Sequence, residues 1–165
     1  MPQYLVKPTN RILVGPSRAQ EEIVEMEVGA NATAAKMIPG RFVIYDAAEG
    51  AVKEAGAATD IAIGVIEVRS GKLVTDQHAV GDPVSIIPRH SGAWVVVTLV
   101  SGGPVVTVGD PLVCAADGKL TKQAVGAMGA QGSVVAHALT SGDPSAADVT
   151  IIVALSSSAE PAAAA

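Results

Sequence analysis

The chain has 165 residues, enough for one domain with appendages and a sizeable core. Hydrophobic residues make up 49% and aromatics 2%, which excludes a disordered chain and leaves Val, Ile, Leu and Ala to fill the interior. A net charge of −5 with 16% charged residues excludes the basic stripe a nucleic-acid partner needs; with a mean hydropathy of +0.41 it points to small apolar surface covered in an assembly.

Residues 1–20 read as an extended arm. Pro2, Pro8 and Pro16 interrupt Leu5-Val6 and Ile12-Leu13-Val14, a spacing that forbids a helix and disfavours a central strand. The charged side chains here, Lys7, Arg11 and Arg18, are all positive. Tyr4, Leu5, Val6, Lys7, Arg11, Ile12, Leu13 and Val14 are therefore candidates for docking on a neighbouring chain by strand addition, an edge strand of the same domain being the competing reading. No basic region followed by an apolar stretch opens the chain, so no signal peptide is expected. The longest apolar run, 93–100, is too short to span a bilayer, and no membrane partner is expected.

The domain proper is expected over 21–155. Val24, Met26 and Val28 alternate with Glu25 and Glu27, the period of a half-buried strand, with helix as the competitor. Strands follow over 41–45, from 51, over 60–68, 84–87, 94–100 and 105–108. Three Gly-Asp-Pro tripeptides punctuate the chain: Gly81-Asp82-Pro83, Gly109-Asp110-Pro111 and Gly142-Asp143-Pro144. In each, Gly supplies positive φ, Asp is expected to accept from the N–H two residues on, and Pro sets the strand's starting angle. These are structural turns, not ligand sites. Ser101-Gly102-Gly103-Pro104 lacks a following helix and a Lys-Ser/Thr pair, so it is expected as a hairpin turn and not a phosphate cradle. Residues 156–165, rich in Ser and Ala, are expected as a loose tail.

An internal echo runs through this pattern. Gly40-Arg41-Phe42-Val43-Ile44 with Gly50-Ala51-Val52-Lys53 matches Gly109-Asp110-Pro111-Leu112-Val113 with Gly118-Lys119-Leu120-Thr121. A Gly-bearing apolar strand follows each, Ile63-Gly64-Val65-Ile66 and Gly132-Ser133-Val134-Val135. Two such β units stack or close into one body. The expected fold is all-β, a small barrel or sandwich of eight to ten short strands with an extended N-terminal arm.

Chemistry is sparse. His78, His90 and His137 share no metal-ligand spacing, so no metal is expected. Cys114, the single cysteine, lies in an apolar run and reads as a buried structural thiol. Ser85, His90 and Asp82 assemble into a triad only on paper, since no nucleophile elbow supports them. Ala35-Lys36-Met37 resembles the lysine turn of biotin- or lipoate-carrying domains, but Ala35 stands where the biotin carriers have Met, and Pro39 follows closely. Trp94 starts a strand and reads as a core anchor in preference to an interface anchor. No catalytic activity, cofactor or small-molecule substrate is expected.

The strand pairs around Tyr45-Asp46-Ala47-Ala48-Glu49-Gly50 and Cys114-Ala115-Ala116-Asp117-Gly118-Lys119-Leu120, followed by Ile63-Gly64-Val65-Ile66, resemble those of the capsid decoration or cement proteins of tailed viruses. The resemblance covers residues 40–155. It implies a structural virion protein made in the host cytoplasm. Such a protein binds the outside of an icosahedral capsid, often as a homotrimer, and stabilises it by bridging neighbouring copies of the major capsid protein. The alternatives are a ligand-binding or carrier β domain of a bacterial enzyme system and a small hydrolase.

Overall fold

A computed structural model describes residues 12–15, 22–69, 72–124 and 134–160. Eleven strands are placed: β1 Leu13–Gly15, β2 Val24–Val28, β3 Phe42–Tyr45, β4 Ala51–Glu54, β5 Gly64–Glu67, β6 Pro83–Pro88, β7 Trp94–Leu99, β8 Pro111–Cys114, β9 Leu120–Lys122, β10 Val134–Ala138 and β11 Val149–Glu160. Three short 3₁₀ turns, Ala34–Lys36, Arg89–Ser91 and Ala116–Gly118, lie between the strands. The all-β expectation is met, but in two barrels where one body was foreseen. The first closes in the order β2-β4-β3-β5-β6. The second is a sheet ordered β1-β7-β11-β10-β8-β9, closed by an additional β7–β9 pairing.

The two barrels have one topology. Matching β2 to β7, β3 to β8, β4 to β9, β5 to β10 and β6 to β11 preserves every neighbour and every direction. In each, the closing pair is parallel, β2–β4 and β7–β9, and the other four pairs are antiparallel. The echo between residues 40–66 and 109–135 is thus the β3-β4-β5 and β8-β9-β10 portions of a repeated unit. Each barrel is also stoppered alike. Met37, in the β2–β3 loop, is fully buried and its carbonyl accepts from His78 N–H at 2.9 Å. Val106, in the β7–β8 loop, is fully buried and exchanges backbone bonds with Gly142 at 2.9 and 3.0 Å.

The first barrel encloses Val28, Met37, Val43, Val52, Ile66, Val84 and Ile86. Phe42, Ala55, Ala62, Val65 and Ile87 turn the other way and join the second barrel's interior in one cluster with Val95, Val97, Leu99, Leu112, Leu120 and Ile151. Consequently β5 is buried on both faces. Its first residue, Gly64, has no room for a side chain: a Cβ there would lie 2.2 Å from the Ile87 carbonyl oxygen.

The two ends fare differently against expectation. Leu13–Gly15 is a strand paired with β7, and Ile12 and Leu13 are buried in the shared core. Of the two readings weighed for this stretch, the edge strand is the one found here, because its apolar residues have a core to enter. At the other end, residues 156–160 continue β11 where a tail was expected, and after a register shift beyond Leu155 the strand meets β10 again with Glu160 opposite Val134. Residues 161–165 lie outside the described part.

Glu67 fixes β1 to the first barrel. Only 4% exposed, its carboxylate accepts the N–H groups of Ile12 and Leu13, each at 2.8 Å, and its own neighbour's, Val68, at 2.7 Å. A buried carboxylate is tolerable only with such donors. Glu67→Ala should therefore orphan two buried N–H groups and cost ~1–3 kcal/mol in chemical denaturation. Deleting residues 1–16 should lower the melting temperature by several degrees; an unchanged melting curve would show the Ile12–Leu13 contacts to be energetically idle.

Candidate functional site

Two of the Gly-Asp-Pro tripeptides build the same turn. In Ala79-Val80-Gly81-Asp82, Asp82 N–H donates to Ala79 O at 3.0 Å; in Thr107-Val108-Gly109-Asp110, Asp110 N–H donates to Thr107 O at 3.1 Å. Gly81 and Gly109 take φ of +86° and +90°, the left-handed value the third position of a type II turn requires. Pro83 and Pro111 then open β6 and β8.

The aspartates cap these turns backwards, contrary to expectation. Asp82 Oδ2 accepts from Ala79 N–H at 2.9 Å, and Asp110 Oδ2 from Thr107 N–H at 2.7 Å and Thr107 Oγ1 at 3.0 Å. Only Asp143 accepts from the residue two ahead, Ser145, at 3.0 Å. Gly142 also differs: a Cβ there would lie 2.7 Å from Ile151 Cγ2, so its glycine serves close packing. A further turn of the first kind, Ile38-Pro39-Gly40-Arg41, precedes β3 and escaped the sequence reading because Arg41 stands where Asp was sought.

Each of the two matching Gly-Asp-Pro turns carries an exposed valine at its tip, Val80 at 52% and Val108 at 65%. Leu73, Val74 and Val105 are exposed in the same two loops, and Tyr45 and Ile61 elsewhere on the first barrel. Trp94 is 40% exposed and packs beside Gly15, so it is a surface side chain and not the core anchor expected. The loop at Ser101-Gly102-Gly103-Pro104 does turn, with Gly102 at φ +78°, but it leads to β8, which does not pair with β7; a hairpin it is not.

The reactive candidates are engaged elsewhere. Lys36 Nζ lies 2.7 Å from Asp117 Oδ1, and that pairing raises the ammonium pKa. The ion pair crosses from the first barrel to the β8–β9 turn, where Gly118 N–H also donates to Ala55 O at 2.7 Å. Lys36 is therefore a docking contact and not a carrier lysine at a hairpin tip. Ser85 Oγ donates to Glu25 at 3.5 Å, His90 sits 3.7 Å from Glu22, and Asp82 is spent on its turn, so the hypothetical triad is not assembled. His78 is buried, which lowers its pKa by desolvation, and its Nε2 has no partner among the described residues. His137 lies half-buried on β10. No group of three ligating side chains occurs among the described residues. Burial pushes the Cys114 thiol up to about 12.

Of the arm residues singled out, Ile12, Leu13 and Val14 lie along β7, and Tyr4, Leu5, Val6, Lys7 and Arg11 lie outside the described part. Glu67 was missed. The signal was present in Val65 and Glu67, two residues apart and hence on one strand face, but nothing local marks that face as buried.

Among known proteins, the family model described as XM1 gp53 minor capsid protein matches residues 1–157. A solved structure, titled as the head fiber gp8.5 N base in bacteriophage phi29, superposes with a TM-score of 0.52 at 17% identity, over 84% of this chain and 98% of that one. At that identity the likeness is one of fold. No curated protein sequence matches significantly.

Two outcomes follow from the side-chain chemistry. Partial burial opposes ionisation of Asp110, but Lys122 at 2.8 Å and the Thr107 bonds hold its carboxyl below the ordinary 3.8. Its stabilising effect is full above the unfolded-state value and disappears as pH falls through the lowered one. Asp110→Asn should cost ~0.5–2 kcal/mol near neutrality, a cost that shrinks as pH falls below the unfolded-state value and through the lowered one, read from denaturation midpoints across pH. In native protein at pH 8, Cys114 should resist a thiol reagent and react only once denaturant is added; prompt native labelling would contradict its burial.

Proposed function

The chain belongs to the XM1 gp53 minor capsid protein family, and from that premise we propose that this phage structural protein binds the outer face of an icosahedral capsid as a homotrimer and stabilises it by bridging neighbouring major capsid subunits. The observation that carries this reading is the pair of rigid turns with exposed valines, Val80 on one barrel and Val108 on the other. Exposed apolar tips on capped turns cost solubility in an isolated chain and suit a surface that is covered on assembly. Two linked barrels offer two such surfaces in one molecule, so contacts to adjacent subunits reinforce each other through effective concentration. Binding to the assembled shell alone stabilises that shell by mass action.

Ser85 and His90 are engaged by Glu25 and Glu22 in place of each other, and this reading gives the chain no catalytic task. The reading places the protein on the virion exterior after synthesis in the host cytoplasm.

The test is addition of purified protein to capsids that lack it. Co-sedimentation at a fixed stoichiometry and a raised capsid melting temperature are expected. Val80→Asp combined with Val108→Asp should weaken binding roughly tenfold or more while leaving the protein's own melting temperature within a few degrees, since both side chains are exposed. Full binding by that double variant would move the contact surface elsewhere; binding without any rise in capsid melting temperature would remove the stabilising role.

A further inference from the structure

The shared topology exposes one difference between the barrels. In the second, β7 has β11 along one edge; on the other, β9 covers only its end at Leu99, and β1 covers its start. There Val96 N–H donates to Ile12 O at 2.9 Å. In the first barrel, β2 has β6 along one edge and β4 at the end of the other, through Glu27 N–H to Gly50 O at 3.1 Å and Gly29 N–H to Val52 O at 2.8 Å. Backbone groups alternate in direction along a strand, so Glu25 turns its N–H and C=O toward that same edge. Glu25 is the counterpart of Val96, and no described residue pairs with it there. Val24, the counterpart of Val95, is correspondingly 45% exposed where Val95 is fully buried. The first barrel thus has the slot that β1 fills in the second, and nothing described fills it.

We propose that this slot receives residues 3–7 of a second copy of the chain, added as a strand along β2. An exposed strand edge with an apolar neighbour is a template for pairing. Tyr4-Leu5-Val6 favours extended backbone, and residues 3–7 contain no proline to interrupt the ladder. The charges are complementary. Glu22, Glu25 and Glu27 are exposed at the slot, Glu25 3.2 Å from Arg69 and Glu22 near His90, while the incoming segment carries Lys7 and is followed by Arg11. Sequence just downstream, Ile12-Leu13-Val14, already occupies the matching slot on the second barrel. The inference rests on the self-association proposed above and not on capsid binding.

Two single variants of the full chain, Val24→Cys and Leu5→Cys, are mixed and oxidised, the native Cys114 being buried. A disulfide-linked pair containing one chain of each is expected. Glu25→Pro in the Val24→Cys partner, which removes the donor N–H without touching a β2–β6 bond, should reduce that product about tenfold. Excess peptide of residues 1–10 should compete it away, which keeps the test valid if the proline variant folds poorly. Light scattering on the unmodified protein reports self-association separately. A trimer that gives no mixed product overturns the slot and leaves the trimer standing. A monomer with no mixed product overturns both. A linked monomer from the double variant, in place of the mixed pair, shows that the segment folds back on its own chain and overturns the proposal.

Discussion

A strand buried on both faces holds this molecule together. β5 turns Ile66 into one barrel and Val65 and Glu67 toward the other, and Gly64 lets the Ile87 backbone approach to where a methyl group would collide. The first barrel's five strands of four to six residues, filled mostly by Val and Ile, make a core too thin to stand far above the entropy of ordering it. Sharing a face adds apolar burial to both barrels at once. It also brings Phe42, the only phenylalanine, into the larger cluster that the second barrel supplies. Around that face the polar contacts are few and specific: Glu67 on the backbone of Ile12 and Leu13, Lys36 on Asp117, and Gly118 on Ala55.

The repeat is one of topology more than of residues. Equivalent strands, closing pairs and stoppers coincide, yet the side chains that do each task differ: Met37 in one stopper, Val106 in the other. Apolar volume and turn geometry are what the arrangement demands, and many residues meet the first. Where the geometry is strict, the same residue returns: Gly40 matches Gly109, and Gly50 matches Gly118, all with positive φ.

Local chemistry was legible in the sequence. The turns before β6 and β8 announced themselves through Gly and Pro, and strand periodicity placed β2, β3, β6 and β7 within a residue or two. Closure was not legible. Whether ten strands form one barrel or two depends on the parallel pairs β2–β4 and β7–β9, which join residues 24 and 21 positions apart through two paired positions and one. Nothing in Glu27-Val28 or Leu99 names its partner. The direction of the aspartate caps was hidden for a similar reason, since Ala79 and Thr107 look like ordinary loop residues. Trp94 was expected inside and lies at the surface, while the buried charge of Glu67 went unmarked, because burial at the junction between barrels is decided by the second barrel and not by the strand that carries the residue. In the candidate surface, only the turn frames could be foreseen; the exposed valines at their tips needed the fold.

The placement of β1 bears on the order in which the chain takes shape. Every strand of the first barrel, from Val24 to Pro88, precedes β7 in the chain, and Leu13 reaches Val95 only across some 80 residues. The first barrel's strands are thus all made before the N-terminal segment's mate. Glu67 is available earlier, on a strand of that first barrel, and its carboxylate takes the Ile12 and Leu13 amides without waiting for a ladder. A single side chain can thus park the leading segment beside the site where its sheet will form, turning a closure across 80 residues into a short-range one.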